Sequence, residues 1–419
     1  MKNIRKICFL LVLMLISFTI SCGDGGSPTA FVYEKNNPNI MEFGIGEGLQ
    51  AIDINIGAVG DIMVHGPQIR AQYDQATNTY NFHNNFELIE PYLADMDLAI
   101  ANLETTLAGE EAGYSGYPRF NSPDAIADAL KDAGFHVIST ANNHIMDRGK
   151  EGFIRTIEVL NSRGLDVIGS RKNIPEENFI IKDIKGVSVG LTAYTYETPM
   201  FSGRKTINGI VVPEDVEDLI NTFSYEKLDE DLHKLEATVN KMKEAGAQLI
   251  VFCMHWGEEY QREPTPHQRY IANKLGGFGV DIILGSHPHV VQPIELQEIK
   301  GREAKIVVVY SLGNFLSNQR YEILNNRYTE DGIIVKIRIQ KNLKEKALAI
   351  DQVSVIPTWV YRYFKQGKTM YEILPIMDAL NRKEYYNLED PQTLWRIKNS
   401  KENTLELIDS ADVIINGLD

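Results

Sequence analysis

From about residue 51 onward, short apolar runs alternate with amphipathic stretches, and the apolar runs end in polar residues. Apolar runs of roughly four to eight residues suit buried strands, while faces repeating every ~3.6 residues suit helices. A chain that alternates the two signals builds βα units around a sheet, so the expected fold class is α/β. Ile52 to Val59 reads as a strand ending in Gly60-Asp61, Leu98 to Ala101 as one ending in Asn102-Leu103-Glu104, and Val137 to Thr140 as one running into Ala141-Asn142-Asn143-His144. Leu249 to Met254 runs into His255-Trp256-Gly257, and Val280 to Leu284 into Gly285-Ser286-His287-Pro288-His289. Between them, Ala125, Ile126, Ala129 and Leu130 mark a helix closed by Gly134, and Ile154, Ile157 and Leu160 another closed by Gly164. Residues 197–226 show no strong period and are expected to form a long loop or insertion near the site. After Gly332 the pattern Ile333, Val335, Ile337, Ile339 switches to period two, which predicts antiparallel strands at the edge or face of the sheet.

The N-terminus is of a different kind. Lys2, Arg5 and Lys6 precede an apolar run from Ile7 to Ile20, followed by Ser21-Cys22, and this resembles a bacterial lipoprotein signal. Residues 1–21 are expected to be the signal peptide, Cys22 the acylated anchor, and residues 22–50 a tether. The expected location is therefore extracytoplasmic, as a membrane-anchored lipoprotein of a bacterial cell envelope. Residues 51–365 then form the main domain and residues 366–419 a C-terminal helical extension. Of the other cysteines, Cys8 leaves with the signal and Cys253 sits in an apolar run, so no internal disulfide is expected. A net charge of −15 argues against a nucleic-acid partner, because phosphate neutralisation needs a positive surface. An anionic substrate would need local positive charge, and bound metal ions are one source of it.

The chemistry-bearing residues gather where α/β sheets gather ligands, just beyond the strands. Asp61, Glu104, Asn143, His144, His255, His287 and His289 come from five separate strand ends. Carboxylate, amide oxygen and imidazole together suit divalent Zn, Mn, Fe or Mg, and a pair of such ions about 3.5–4 Å apart needs a bridging carboxylate plus open positions for water and substrate. Hydrolysis is the reaction this set favours, with a free histidine as proton donor.

The segments Gly60-Asp61-Ile62-Met63, Ala101-Asn102-Leu103-Glu104, Asn142-Asn143-His144-Ile145-Met146-Asp147-Arg148-Gly149, His255-Trp256-Gly257-Glu258-Glu259-Tyr260 and Gly285-Ser286-His287-Pro288-His289-Val290 resemble the poly-γ-glutamate capsule-biosynthesis CapA family, which is related to the calcineurin-like metallophosphoesterases. The resemblance implies a layered βα sandwich of the metallo-dependent phosphatase type, with strands covered by helices. It also implies two divalent metal ions: Asp61 and His289 on one, Asn143, His255 and His287 on the other, and Glu104 between them. His144 would be the catalytic acid and Asp147 the carboxylate that orients it. Met63 stands where phosphoesterases have a metal-binding His, and Glu104 where they have Asp; His65 is the residue placed to compensate for the first of these. Glu258 is a further pocket candidate, whereas Gln268, Gln292 and Asn314 match family positions but also suit structural roles at helix starts and strand ends. Three functions compete on this reading. The first is a metal-dependent hydrolase or transferase acting on an anionic envelope polymer, with a capsule synthase membrane complex as partner. The second is a non-catalytic anchored component that binds the polymer or synthase, and the third an extracytoplasmic phosphoesterase.

Overall fold

The computed structural model of the chain describes residues 51–344, 347–365, 367–408 and 412–416. The expected signal peptide, Cys22 and the tether lie outside these residues. Among the described residues no helix is long and apolar enough to cross a membrane.

Two sheets carry the fold. In the first, β1 (Ala51–Ile62), β2 (Leu98–Leu103), β3 (Val137–Ser139) and β4 (Asp166–Ile168) run parallel. In the second, β5 (Val187–Tyr196), β6 (Leu249–His255), β7 (Ile282–Ser286) and β8 (Ile306–Val309) do the same. The period-two segment supplies β9 (Asp331–Asn342) and β10 (Leu348–Lys365), which extend the first sheet antiparallel from β1, and β11 (Lys368–Pro375) completes the order β11-β10-β9-β1-β2-β3-β4.

Strand alternation decides which side chains meet. On β1, Ile54, Ile56 and Ala58 turn toward Val189, Leu191, Val251, Cys253 and Ile282 of the second sheet, forming the central core. Val59 and Ile62 turn the other way and pack with Ile126, Ala129 and Leu130 of helix α1 (Ala125–Asp132). Ile250, Phe252 and Ile283 likewise pack against α2 (Leu228–Glu244) and α3 (Pro266–Phe278). The result is the expected α/β sandwich: two sheets face to face, with helices on both outer faces. Cys253 is a free, buried thiol in the central core, and burial pushes it up to about 12. The start of α3 shows how locally such an element is fixed. Thr265 caps it by accepting from the Gln268 amide, Pro266 sits at the first helical position, and Gly279 closes it in the left-handed region at φ 115°.

Two expectations are corrected. Residues 197–226 are not a structureless loop: Thr198–Phe201, Arg204–Ile207 and Ile210–Val211 form a three-stranded antiparallel sheet, and Thr222–Phe223 pairs with β5. The turns are Ser202-Gly203 and Asn208-Gly209, with all four residues at positive φ, the conformation that tight two-residue hairpins require. Residues 366–419 are not simply helical either. The 365/366 boundary falls inside the β10–β11 hairpin, where Lys365 pairs with Lys368, and Val413–Ile415 runs parallel to β10. Tyr371 and Ile373 alternate inward along β11, so burial on one face overrides the helical reading; α4 (Pro391–Ile408) is the principal helix of this segment.

Candidate metal centre

Both sets of parallel strands end at the same place. Asp61 is the penultimate residue of β1, Glu104 follows β2, Asn143 and His144 follow β3, His255 ends β6, and His287 and His289 follow β7. Two glycines make that convergence possible. A Cβ on Gly60 would lie 1.9 Å from the Gly313 carbonyl oxygen, and one on Gly285 would lie 1.9 Å from that of Tyr310. Side chains there would push apart the segments that carry Asp61 and His287. His287 and His289 themselves adopt φ of 95° and 57°, which is rare for non-glycine residues and is tolerated where the surroundings over-determine the backbone.

The Glu104 carboxylate occupies the centre of the cluster. Its Oε1 is 3.7 Å from His255 Nε2 and 3.7 Å from His289 Nε2, and among the described residues it has no hydrogen-bond partner although fully buried. Asn143 Oδ1 lies 3.1 Å from His255 Nε2. Asp61 accepts from Asn102 Nδ2 at 2.7 Å and from the His287 backbone amide at 3.2 Å, and its Oδ2 lies 3.0 Å from His289 Nδ1. Two groups of ligand atoms fall within 4.8 Å of one another: Glu104 with His287 and His289, and Asp61 with Glu104 and His255. All six expected ligands are therefore together, with Glu104 common to both groups. The shortest contacts pair Asp61 with His289 and Asn143 with His255, while the looser groups also bring His255 toward Asp61 and His287 toward His289 around Glu104.

Burial sets the protonation of this cluster. It holds the imidazoles of His255 and His287 well below the usual histidine range, reinforced by their mutual proximity and that of His289, so both rings are neutral and have lone pairs to offer. Burial, then the Asp61 and Glu259 charges, pushes the Glu104 carboxyl well above the usual carboxylate range. A buried carboxylate oxygen without a donor, beside a buried His287 Nδ1 also without one, costs free energy that a divalent cation would offset. The donor set fits such an ion.

His144 stands slightly apart. Its Nδ1 is 2.8 Å from Asp147 Oδ2, which also accepts from the Phe120 amide at 2.6 Å, and its ring meets the edge of Phe120 at 4.7 Å. The expected pair is thus formed, with the ring locked between a carboxylate and an aromatic wall. His144 and His289 open onto a cleft of about 450 Å³, whose walls include Met63, Pro67, Tyr117, Ile323 and Leu324 and no Lys or Arg. His65 also lines this cleft. Its Nδ1 accepts from the Asn318 amide at 3.3 Å and its ring meets Phe120, outside both ligand groups, and burial takes its pKa down to about 4.

The remaining motif residues divide in the same way. Glu258 is exposed, whereas Glu259 lines the cleft. Gln268 donates to Gln292 at 2.9 Å, Gln292 to the Gln261 carbonyl, and Asn314 to the Thr329 carbonyl, all as braces between segments. Sequence reasoning gave no role to Asn102, Ser286 or Tyr196. Asn102 ties Asp61 to Glu104 and itself accepts from Asn142; Ser286 Oγ lies 2.9 Å from His255 Nδ1; and the Tyr196 ring lies parallel to His255 and 4.9 Å from His287. The first two sit inside the quoted motifs, where they could have been read as outer partners that orient ligands. Tyr196 carries no such signal.

The signature of the bacterial capsule synthesis protein PGA_cap family matches residues 55–319. The capsule biosynthesis protein CapA of Bacillus anthracis is 27% identical over 82% of this chain and 75% of its own length. The PGA biosynthesis protein CapA of Bacillus subtilis (strain 168) is 28% identical over 68% of this chain and 67% of its own. Among solved structures, the calcineurin-like phosphoesterase YfkN of Bacillus subtilis overlaps 85% of this chain and 98% of its own at 15% identity and a TM-score of 0.38. A Mycoplasma pneumoniae phosphatase overlaps 80% and 99%, also at 15% identity, with a TM-score of 0.39, and overlaps this loose carry no argument about the reaction. With the five motifs in order and the signature spanning most of the sandwich, the chain belongs to the bacterial capsule synthesis protein PGA_cap family.

Proposed function

We propose that this protein is a metal-dependent hydrolase or transferase in the synthesis of a poly-γ-glutamate capsule or related envelope polymer, cutting or transferring an amide or phosphoester bond. The observation that carries the reading is the unpartnered, fully buried Glu104 Oε1 equidistant from two imidazole nitrogens. Glu104, Asp61, Asn143, His255, His287 and His289 would hold one or two divalent ions of the Zn, Mn, Fe or Mg class. Bound there, such ions would supply Lewis-acid polarisation of the scissile group and activation of water.

The chain's own residues account for the rest. Asp147 fixes the His144 ring through Nδ1, leaving Nε2 as the atom that carries a proton toward a leaving group in the cleft. Phe120 and Met63 keep that side of the cleft apolar. Asn102 and Ser286 orient Asp61 and His255. Acylation at Cys22 would place the site on the envelope face of a membrane, beside a polymer synthase. Capsule and PGA biosynthesis are what the names of the two Bacillus relatives say of those proteins, and they support the polymer as substrate class.

The test is His144→Ala. Turnover of an oligo-γ-glutamate or phosphoester probe should fall about 10²- to 10⁴-fold while bound metal is retained. Unchanged turnover would remove His144 as the proton donor, and no turnover in the parent protein with metal bound would favour the polymer-binding reading, which Met63 in place of a ligand also supports.

A further inference from the structure

A second cavity, of about 300 Å³, lies beside the metal cleft. It is bounded by α4 and by the short helix α5 (Tyr321–Leu324). That helix is a common wall: Tyr321 and Glu322 face the second cavity, while Ile323 and Leu324 face the cleft. The two cavities differ in charge. No cation lines the cleft, but Arg327 and Arg396 line the second cavity, and Arg320 lies buried behind it.

Most of that charge is internally matched. Arg396 is bonded to both Glu322 and Glu330, and Arg320 reaches Glu322 at 3.1 Å and Glu330 at 3.2 Å. Arg327 differs: among the described residues it has no carboxylate partner; it donates to the Tyr328 hydroxyl at 3.4 Å and lies 5.2 Å from that ring, which Arg262 also approaches at 4.2 Å. The third acid in the wall, Asp331, is held by burial at about 8 and is mainly uncharged at neutral pH. Counting Arg320 behind the wall, three guanidinium groups stand against two charged carboxylates, a local positive excess in a chain of net charge −15. Trp395, 61% exposed, offers a flat face at the mouth, and Gln392 offers an amide; Asn403, also in the wall, donates to Asp331.

We propose that this cavity is a distal subsite for an extended carboxylate-bearing polymer, whose reacting end lies in the cleft on the other side of α5. This rests on the polymer reading above and deepens it: charge is recognised away from the reaction centre, where Arg327 can pair with a substrate carboxylate and Trp395 can stack on an amide plane. A helix with its side chains is about 10–12 Å across; an extended α-peptide advances ~3.3–3.6 Å over three main-chain atoms, so a γ-linked unit with five advances about 5.5–6 Å, and about two units bridge the helix while about four are needed to occupy both sites.

The experiment is a tryptophan-fluorescence titration of the full-length protein in detergent with γ-linked glutamate oligomers of two and about ten units. The longer oligomer should bind at least about tenfold more tightly, with a preference that weakens at high salt. Arg327→Ala, and separately Trp395→Phe, should reduce that preference to within about twofold. Equal affinity for both lengths, a preference untouched by either variant, equally tight binding of a neutral oligosaccharide, or no binding at all would overturn the subsite. Length-dependent binding without turnover would leave the subsite standing and remove the catalytic reading. Turnover without length dependence would do the reverse.

Discussion

At the strand ends, Glu104 keeps a fully buried oxygen with no hydrogen-bond partner, beside a second carboxylate and neutral imidazoles. Across α5, Glu330 is almost as deeply buried, yet it accepts from Trp359 Nε1 at 3.1 Å and pairs with Arg320 and Arg396. Both clusters bury carboxylates, and they satisfy them in opposite ways. Both oxygens of Glu330 find donors within the chain, although Arg320 Nη1 beside them finds no partner among the described residues; Glu104 Oε1 finds no donor there, and a cation would supply what it lacks. Unpaired buried charge is costly, so an oxygen left in that state marks where a ligand belongs.

The comparison can be broken by removing one acid from each cluster. Glu330→Ala removes the buried one of the two carboxylates that Arg320 and Arg396 share, leaving only Glu322, and should destabilise the protein by about 3 kcal/mol in chemical denaturation, with or without added metal. A loss well below that would mean the Arg320 and Arg396 charges reach water. Glu104→Gln should act with opposite signs in two conditions. Metal-free, it removes a carboxyl held against Asp61 and should stabilise by about 1–3 kcal/mol. With divalent metal present, it should abolish the ligand-induced rise in melting temperature that the parent shows. Destabilisation in both conditions would show that Glu104 is satisfied without metal.

Asp331 gives an effect that depends on pH. Its folded pKa is raised from 3.8 to about 8, so between those values the folded chain retains a proton that the unfolded chain has lost. Its contribution is therefore fully present below about pH 4 and is lost as pH rises toward 8, with a slope of at most ~1.4 kcal/mol per pH unit. Asp331→Asn should flatten that part of the stability profile between pH 5 and 8. An unchanged profile would show that Asp331 is ionised in the folded state.

Legibility in the sequence followed the same division. The sandwich was readable because buried parallel strands are apolar runs, and the convergence of candidate ligands because they come as short motifs at strand ends. Residues 197–226 were misread because their strands are short and partly exposed, so no apolar period betrays them; the Asn208-Gly209 hairpin signal was the available clue. β11 was missed because its register depends on β10, a long-range partner that local pattern does not reveal. At the site, which residues converge was legible in the sequence, but their backbone conformation was not: His287 and His289 reach the cluster through positive φ that no local pattern announces. The α5–α4 cavity had no signature, because Arg320, Glu330 and Arg396 meet only through tertiary packing.

The most direct test of the central claim is elemental analysis of the purified protein, prepared without chelators, beside a Glu104→Ala/His287→Ala double variant. The account predicts one to two equivalents of a divalent transition metal in the parent and loss of that metal from the variant, which still folds. A parent that binds no metal, or a variant that retains it in full, would contradict the account.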